Sequence, residues 1–162
     1  MNEISLLSHD ITYRRYQLSR INIGKVFRIL NIPEYIALHA IRESESADMK
    51  ADNQVYLKDI ARQMEVTISQ ASRIAGLLRD KGLVIWSHEG DGDKGTYLKL
   101  TESGIMKLHS QEEILEKYYK TIIDQFGLDR LNEWLLLTQE LDSIMRKEAE
   151  KSEEKINDSD SQ

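Results

Sequence analysis

The sequence has no cysteine and a single proline, Pro33, among its 162 residues. Without thiols there is no disulfide framework, no thiolate metal site, no cysteine nucleophile and no thiol-based oxidant sensing. A reducing compartment is the simplest expectation. No apolar run approaches the roughly 18 residues of a membrane span, and the segment Met1 to Asp10 carries acids where a signal peptide would carry cations. These absences describe a cytoplasmic protein with no membrane partner. Catalytic motifs are missing as well. There is no Gly-x-Ser-x-Gly elbow and no glycine-rich phosphate loop, and the four histidines (His9, His39, His88, His109) nowhere form a His-x-x-x-His pair. The expectation is therefore no enzyme, no cofactor and no metal site.

Positive charge is scarce overall, with 22 Lys and Arg against 28 Asp and Glu for a net of −6, which at first argues against a nucleic-acid partner. The distribution alters that reading. Residues 148–162 hold six acids and two lysines, a net of −4. By contrast, residues 1–30 carry five cations against two acids, and residues 57–86 five against three. Cations are concentrated where helices are expected, and the acid excess sits in the tail.

At this length one domain is the usual prior, large enough to fold around its own core. Apolar residues recur mostly at three and four, so the chain reads as mainly helical. A first helix is expected over much of Ser8 to Ile29. Asn31-Ile32-Pro33-Glu34 then resets the chain, with Asn31 as cap, Pro33 in the first turn and Glu34 closing a capping box. That helix should reach about Arg42, and Ser44 to Gln54 reads as a loop. Tyr56 to Met64 is a short helical pattern. Thr67 and Gln70 form a second capping box, opening a helix whose inward stripe is Ile68, Ala71, Ala75 and Leu78 and whose stop is Gly82. Leu83 to Trp86 and Thr96 to Leu100 pair as a hairpin across the turn Ser87 to Gly95. Thr101 caps a long helix that ends at Gly127, and Asp129 opens the last. Beyond Lys147 the composition is that of a disordered tail.

Two short helices joined tightly and followed at once by a hairpin have the order of a winged helix-turn-helix. The fold class is thus mainly α with a small β-hairpin wing. Opposite the inward stripe stand Ser69, Arg73 and Gly76, flanked by Gln70 and Ser72. A helix of this kind fits the major groove, where Arg can bond a guanine edge and Gln an adenine edge in bidentate fashion. Gly76 inside a helix costs about 1 kcal/mol, which a close approach by DNA or by a packed neighbour would explain.

The runs Leu30-Asn31-Ile32-Pro33-Glu34-Tyr35-Ile36-Ala37-Leu38, Lys58-Asp59-Ile60-Ala61-Arg62-Gln63-Met64, Val66 to Arg73, Leu78-Arg79-Asp80-Lys81-Gly82-Leu83-Val84 and Leu98 to Gly104 together resemble the MarR family of bacterial transcriptional regulators, over roughly Tyr13 to Lys147. The resemblance implies a single MarR-like domain, residues 1–147, in which 1–30 and 101–147 supply dimerisation helices and 31–100 the winged helix-turn-helix lobe, followed by the acidic tail 148–162. It implies a homodimer on double-stranded DNA, with two recognition helices in successive major grooves of a pseudo-palindromic operator. In many members a small ligand controls binding. Mapped onto this chain, the DNA-binding residues are Thr67, Ser69, Gln70, Ser72, Arg73 and Lys94. Arg73 and Gln70 are assigned to bases, and Ser69, Ser72 and Lys94 to phosphate. A ligand pocket between dimer helices and lobe would be lined by Tyr13, Tyr16, His39 and Trp86.

One departure from the family pattern stands out. Members usually carry Asp-x-Arg in the wing, whose arginine enters the minor groove; here Lys94 occupies that place among Glu89, Asp91 and Asp93. Those acids repel phosphate, so weak and salt-sensitive wing contacts are expected. The same alternating acids are not an EF-hand, because the twelfth position counted from Glu89 is Leu100. Apart from the resemblance, Trp134-Leu135-Leu136-Leu137 is apolar on nearly every side of its helix and needs cover on every side, which favours a dimer. Ile4, Leu6, Leu7 and Ile11 are candidates to join that cover. The rival reading is a winged-helix protein–protein module without specific DNA binding, whose acidic wing and tail face a basic partner.

Overall fold

The structure is a computed structural model that describes residues 2–47, 55–88 and 96–159. In chain order it contains α1 (Glu3–Ser19), a 3-10 turn at Ile23–Lys25, α2 (Ile32–Ala47), β1 (Val55–Tyr56), α3 (Leu57–Gln63) and α4 (Ile68–Asp80). These are followed by β2 (Val84–His88), β3 (Thr96–Leu100), α5 (Glu102–Phe126) and α6 (Leu128–Ser159). The architecture is mainly α with a small antiparallel sheet. Among the described residues no helix is long and apolar enough to cross a membrane. The chain divides into two compact units, Met1–Glu116 and Lys117–Gln162.

In the first unit the core is formed by Leu30, Leu38, Ile41, Ile60, Leu78, Leu83, Leu98 and Leu108, all nearly inaccessible. The sheet order is β1-β3-β2, with Val84 opposite Leu100, Trp86 opposite Leu98 and His88 opposite Thr96. The expected hairpin is present, and a third strand joins it. Val55 pairs with Leu98 and Tyr56 with Tyr97, so Tyr56 ends a strand where helical pattern was expected to begin. Two residues are too few to show an alternation, and only the neighbouring strand defines them.

The first helix differs from its expected span. Asn2 caps it by accepting from the Ser5 N–H at 2.8 Å, and it stops at Ser19. Past that point Asn22 and Gly24, poor helix formers, break the pattern, and the chain enters the 3-10 turn. Gln111 of α5 holds this irregular segment. Its carbonyl oxygen accepts from the Ile29 and Leu30 N–H groups at 3.1 and 3.4 Å, and its amide donates to the Val26 carbonyl at 3.1 Å. A fully buried glutamine thus pairs backbone groups that no helix or sheet satisfies.

The Asn31–Glu34 capping box is present in both directions, at 2.9 and 3.2 Å. Helix α2 runs past Arg42 to Ala47, beyond its expected end. Its added turn includes Glu45, whose carboxylate accepts from the Leu100 N–H at 3.0 Å and so ties α2 to β3. A two-pronged ion pair between Arg42 and Glu112 joins α2 to α5. The hydrogen bond from Arg42 holds the Glu112 carboxyl below its ordinary value, and Glu112 raises Arg42 in turn.

The second unit holds the last turns of α5 and all of α6, separated at Gly127, whose φ of +96° suits glycine. Helix α6 continues to Ser159, where composition suggested disorder. Its last turns are rich in Glu, Lys and Ala, which favour helix at exposed sites, and Lys151 pairs with Glu148 one turn back. Among the described residues of this unit none is buried. Consecutive Trp134, Leu135, Leu136 and Leu137 are 45–69% exposed.

Candidate nucleic-acid interface

Helices α3 and α4 form the helix-turn-helix, and the same local device ends both. At the end of α3 the Val66 N–H reaches the Ala61 carbonyl at 3.0 Å and the Glu65 N–H reaches Arg62 at 3.1 Å. At the end of α4 the Leu83 N–H reaches Leu78 at 2.9 Å and the Gly82 N–H reaches Arg79 at 2.8 Å. Each is a Schellman closure around a left-handed residue, Glu65 at φ 54° and Gly82 at φ 69°. The first closure sets the tight turn between the helices.

Helix α4 is fixed at both ends. At its start the Thr67 hydroxyl accepts from the Gln70 N–H at 3.2 Å, and the Gln70 carbonyl oxygen accepts from the Thr67 N–H at 3.0 Å. The capping box read from the sequence is therefore complete. At its far end Lys81 forms an ion pair with Glu34, whose side chain is 4% exposed at the start of α2. Thr101, the cap of α5, donates its hydroxyl to the Gly82 carbonyl at 2.8 Å and its N–H to the Leu83 carbonyl at 3.1 Å. Gly104 in the next turn lies so close that a Cβ there would sit 2.1 Å from the Leu83 oxygen.

Between those anchors Ala71, Ala75 and Leu78 face the core. Ile68, expected in the same stripe, is 61% exposed. It is the first helical residue, and side chains lean toward the helix N-terminus, so Ile68 projects past the end of the core. Ser69 and Arg73 are exposed four residues apart on one face. Ser72 and Gly76 are half-buried. A Cβ on Gly76 would meet the Trp86 ring at 3.8 Å, ordinary contact, so the neighbour at this glycine is the wing strand. Lys94, with Glu89, Asp91 and Asp93, lies outside the described residues.

The four residues assigned to a ligand pocket lie on three elements. Tyr13 and Tyr16 are exposed on α1, where Tyr13 stacks on His9 and the Tyr16 hydroxyl accepts from Arg20 at 2.9 Å. His39 on α2 lies beside Tyr35 and 3.5 Å from Glu43. Trp86 on β2 packs against the core under the Arg79 guanidinium, 5.5 Å from the ring centroid. Its buried indole N–H has no hydrogen-bond partner among the described residues. Each of the four thus has its own local neighbours.

Sequence reasoning overlooked the groups that hold α4 in place. Glu34 was read as a cap and Lys81 as part of a motif, but their ion pair links positions 47 residues apart. Neither periodicity nor capping rules signal such a pairing.

No family sequence model matches the chain, and no curated protein sequence matches it. Solved structures do. A MarR family regulator from Neisseria meningitidis superposes with a TM-score of 0.62 at 18% identity, covering 94% of this chain and 99% of that one. The PcaV transcriptional regulator from Streptomyces coelicolor, solved with its natural ligand, gives 0.66 at 14% identity over 88% and 98%. A Staphylococcus aureus MarR in complex with salicylate and kanamycin gives 0.66 at 13% over 90% and 96%. With its helix-turn-helix, its three-stranded wing sheet and these superpositions over nearly the whole chain, the protein has the winged helix-turn-helix fold of the MarR-family transcriptional regulators.

Proposed function

We propose that this protein is a homodimeric, sequence-specific DNA-binding transcriptional regulator that represses by occupying a pseudo-palindromic operator. The observation that carries the reading is the outer face of α4. Ser69 and Arg73 stand exposed on a helix anchored at both ends, and the Arg73 guanidinium has no hydrogen bond or ion pair among the described residues. A rigid helix with free donors at its leading end matches what a major groove receives. Arg73 is assigned to a base edge and the Ser69 and Ser72 hydroxyls to phosphate, with Lys94 as the wing contact. The dimer is supported by the apolar side chains of α6, exposed on every side of that helix. Solved structures of the same fold with bound small ligands support control of this kind here.

Selection of bound fragments from a random-sequence pool tests the reading. The expected product is an inverted repeat with half-sites about 10 base pairs apart, bound less tightly as salt rises. Arg73→Ala should cost about 1–3 kcal/mol and relax one position per half-site. A chain that enriches no sequence and shows no salt slope is instead an interaction module.

A further inference from the structure

The capping box at the start of α4 limits what Gln70 can offer a partner. Its carbonyl oxygen has two lone pairs, and both are taken, by the Thr67 N–H at 3.0 Å and the Thr67 hydroxyl at 3.1 Å. The Thr67 hydroxyl is committed in return, because it accepts from the Gln70 N–H at 3.2 Å. The amide cannot be turned over, since that would aim its NH2 at the Thr67 backbone N–H, donor against donor. What Gln70 presents outward is therefore its Nε2 with two N–H groups. One turn on, Arg73 is also a pure donor.

We propose that Gln70 enters the groove as a donor only and selects guanine over adenine at its base step. This rests on the reading of α4 as a DNA-reading helix. The familiar glutamine–adenine pair needs the side-chain carbonyl to accept from adenine N6 while the amide donates to N7, and here that carbonyl is occupied. An NH2 group facing guanine finds two acceptors, N7 and O6. Facing adenine it finds N7 and a second NH2, and the latter contact is repulsive. The residue that caps the helix thus also fixes which purine the helix accepts.

The test uses the full chain and a pair of matched selections. Gln70→Glu keeps the cap, because a carboxylate accepts from the Thr67 N–H equally well, so its thermal unfolding midpoint should stay that of the parent. Its outward group becomes an acceptor. In random-pool selection the parent should enrich guanine at one position per half-site, and Gln70→Glu should change that position to cytosine, whose N4 is a donor, leaving the others as they were. Replacing that guanine by 7-deazaguanine should weaken the parent about fivefold or more and leave Gln70→Glu unaffected. If the position that follows residue 70 selects any other base in the parent, or if no position follows residue 70, the donor-only assignment is overturned while DNA reading stands. If the parent enriches no sequence at all, the underlying reading fails and this assignment fails with it.

Discussion

The core of the first unit and the helices α1 and α6 use the same kinds of residue to opposite effect. All the buried side chains among the described residues lie between Leu30 and Leu115, whereas α1 and the second unit bury none. Yet Ile4, Leu7 and Ile11 on α1, or Leu135, Leu136 and Ile144 on α6, are as apolar as Leu38 or Leu78. Burying a leucine or isoleucine is worth about 1.5–3 kcal/mol, so a helix that leaves a full set exposed is incomplete alone. The core of the first unit is closed by its own chain; α1 and α6 leave their apolar side chains uncovered.

The largest expected effect on that contrast comes from closing space in the core of the first unit. Gly104→Ala places a Cβ 2.1 Å from a backbone oxygen, and should cost about 3 kcal/mol or more in chemical denaturation. Next is Gln111→Leu, similar in size but unable to pair Val26, Ile29 and Leu30; a loss of roughly 2–3 kcal/mol is expected. Gly76→Ala should act in the other direction. Its Cβ has room beside Trp86, so it should raise stability by about 1 kcal/mol and leave DNA affinity unchanged.

Glu112→Gln tests the ion pair with Arg42. The folded carboxyl titrates below its ordinary value of 4.5, so the pair's contribution is fully present above that pH and disappears as pH falls through the lower folded value. Both partners are partly exposed, at 37% and 26%, which keeps the effect near or below about 1 kcal/mol. Parent and variant denaturation curves should separate at pH 7 and converge in acid. The smallest effect belongs outside the lobe. Leu136→Ser, at a side chain 69% exposed, should change the unfolding free energy by less than about 0.5 kcal/mol when measured at high dilution. A large loss there would erase the distinction between covered and uncovered helices.

How far the sequence carried this picture depended on the range of each signal. Both capping boxes, the stop at Gly82 and the pairing of β2 with β3 were legible, because each is written within a few residues. Ile68 was placed in the core by a periodicity that ignores helix ends. The strand Val55–Tyr56 was invisible because its definition comes from Leu98 and Tyr97. Gln111, Glu45 and the Glu34–Lys81 pair act across tens of residues through polar groups, which a hydrophobic pattern does not register. At the candidate interface the residue types on α4 and the Thr67–Gln70 capping box were readable, but the second bond, from the Thr67 hydroxyl to the Gln70 oxygen, was visible only as geometry.

The approach of Gly104 to Leu83 has a further consequence. Where two helices meet through side chains, their spacing can drift as one residue type replaces another over generations. Here the start of α5 rests directly on the Leu83 peptide just past the end of α4, so the gap is set by atoms that every amino acid shares. Substitutions elsewhere can reshape the outer face of α4, but the spacing between α5 and the end of α4 stays fixed for as long as position 104 has no side chain.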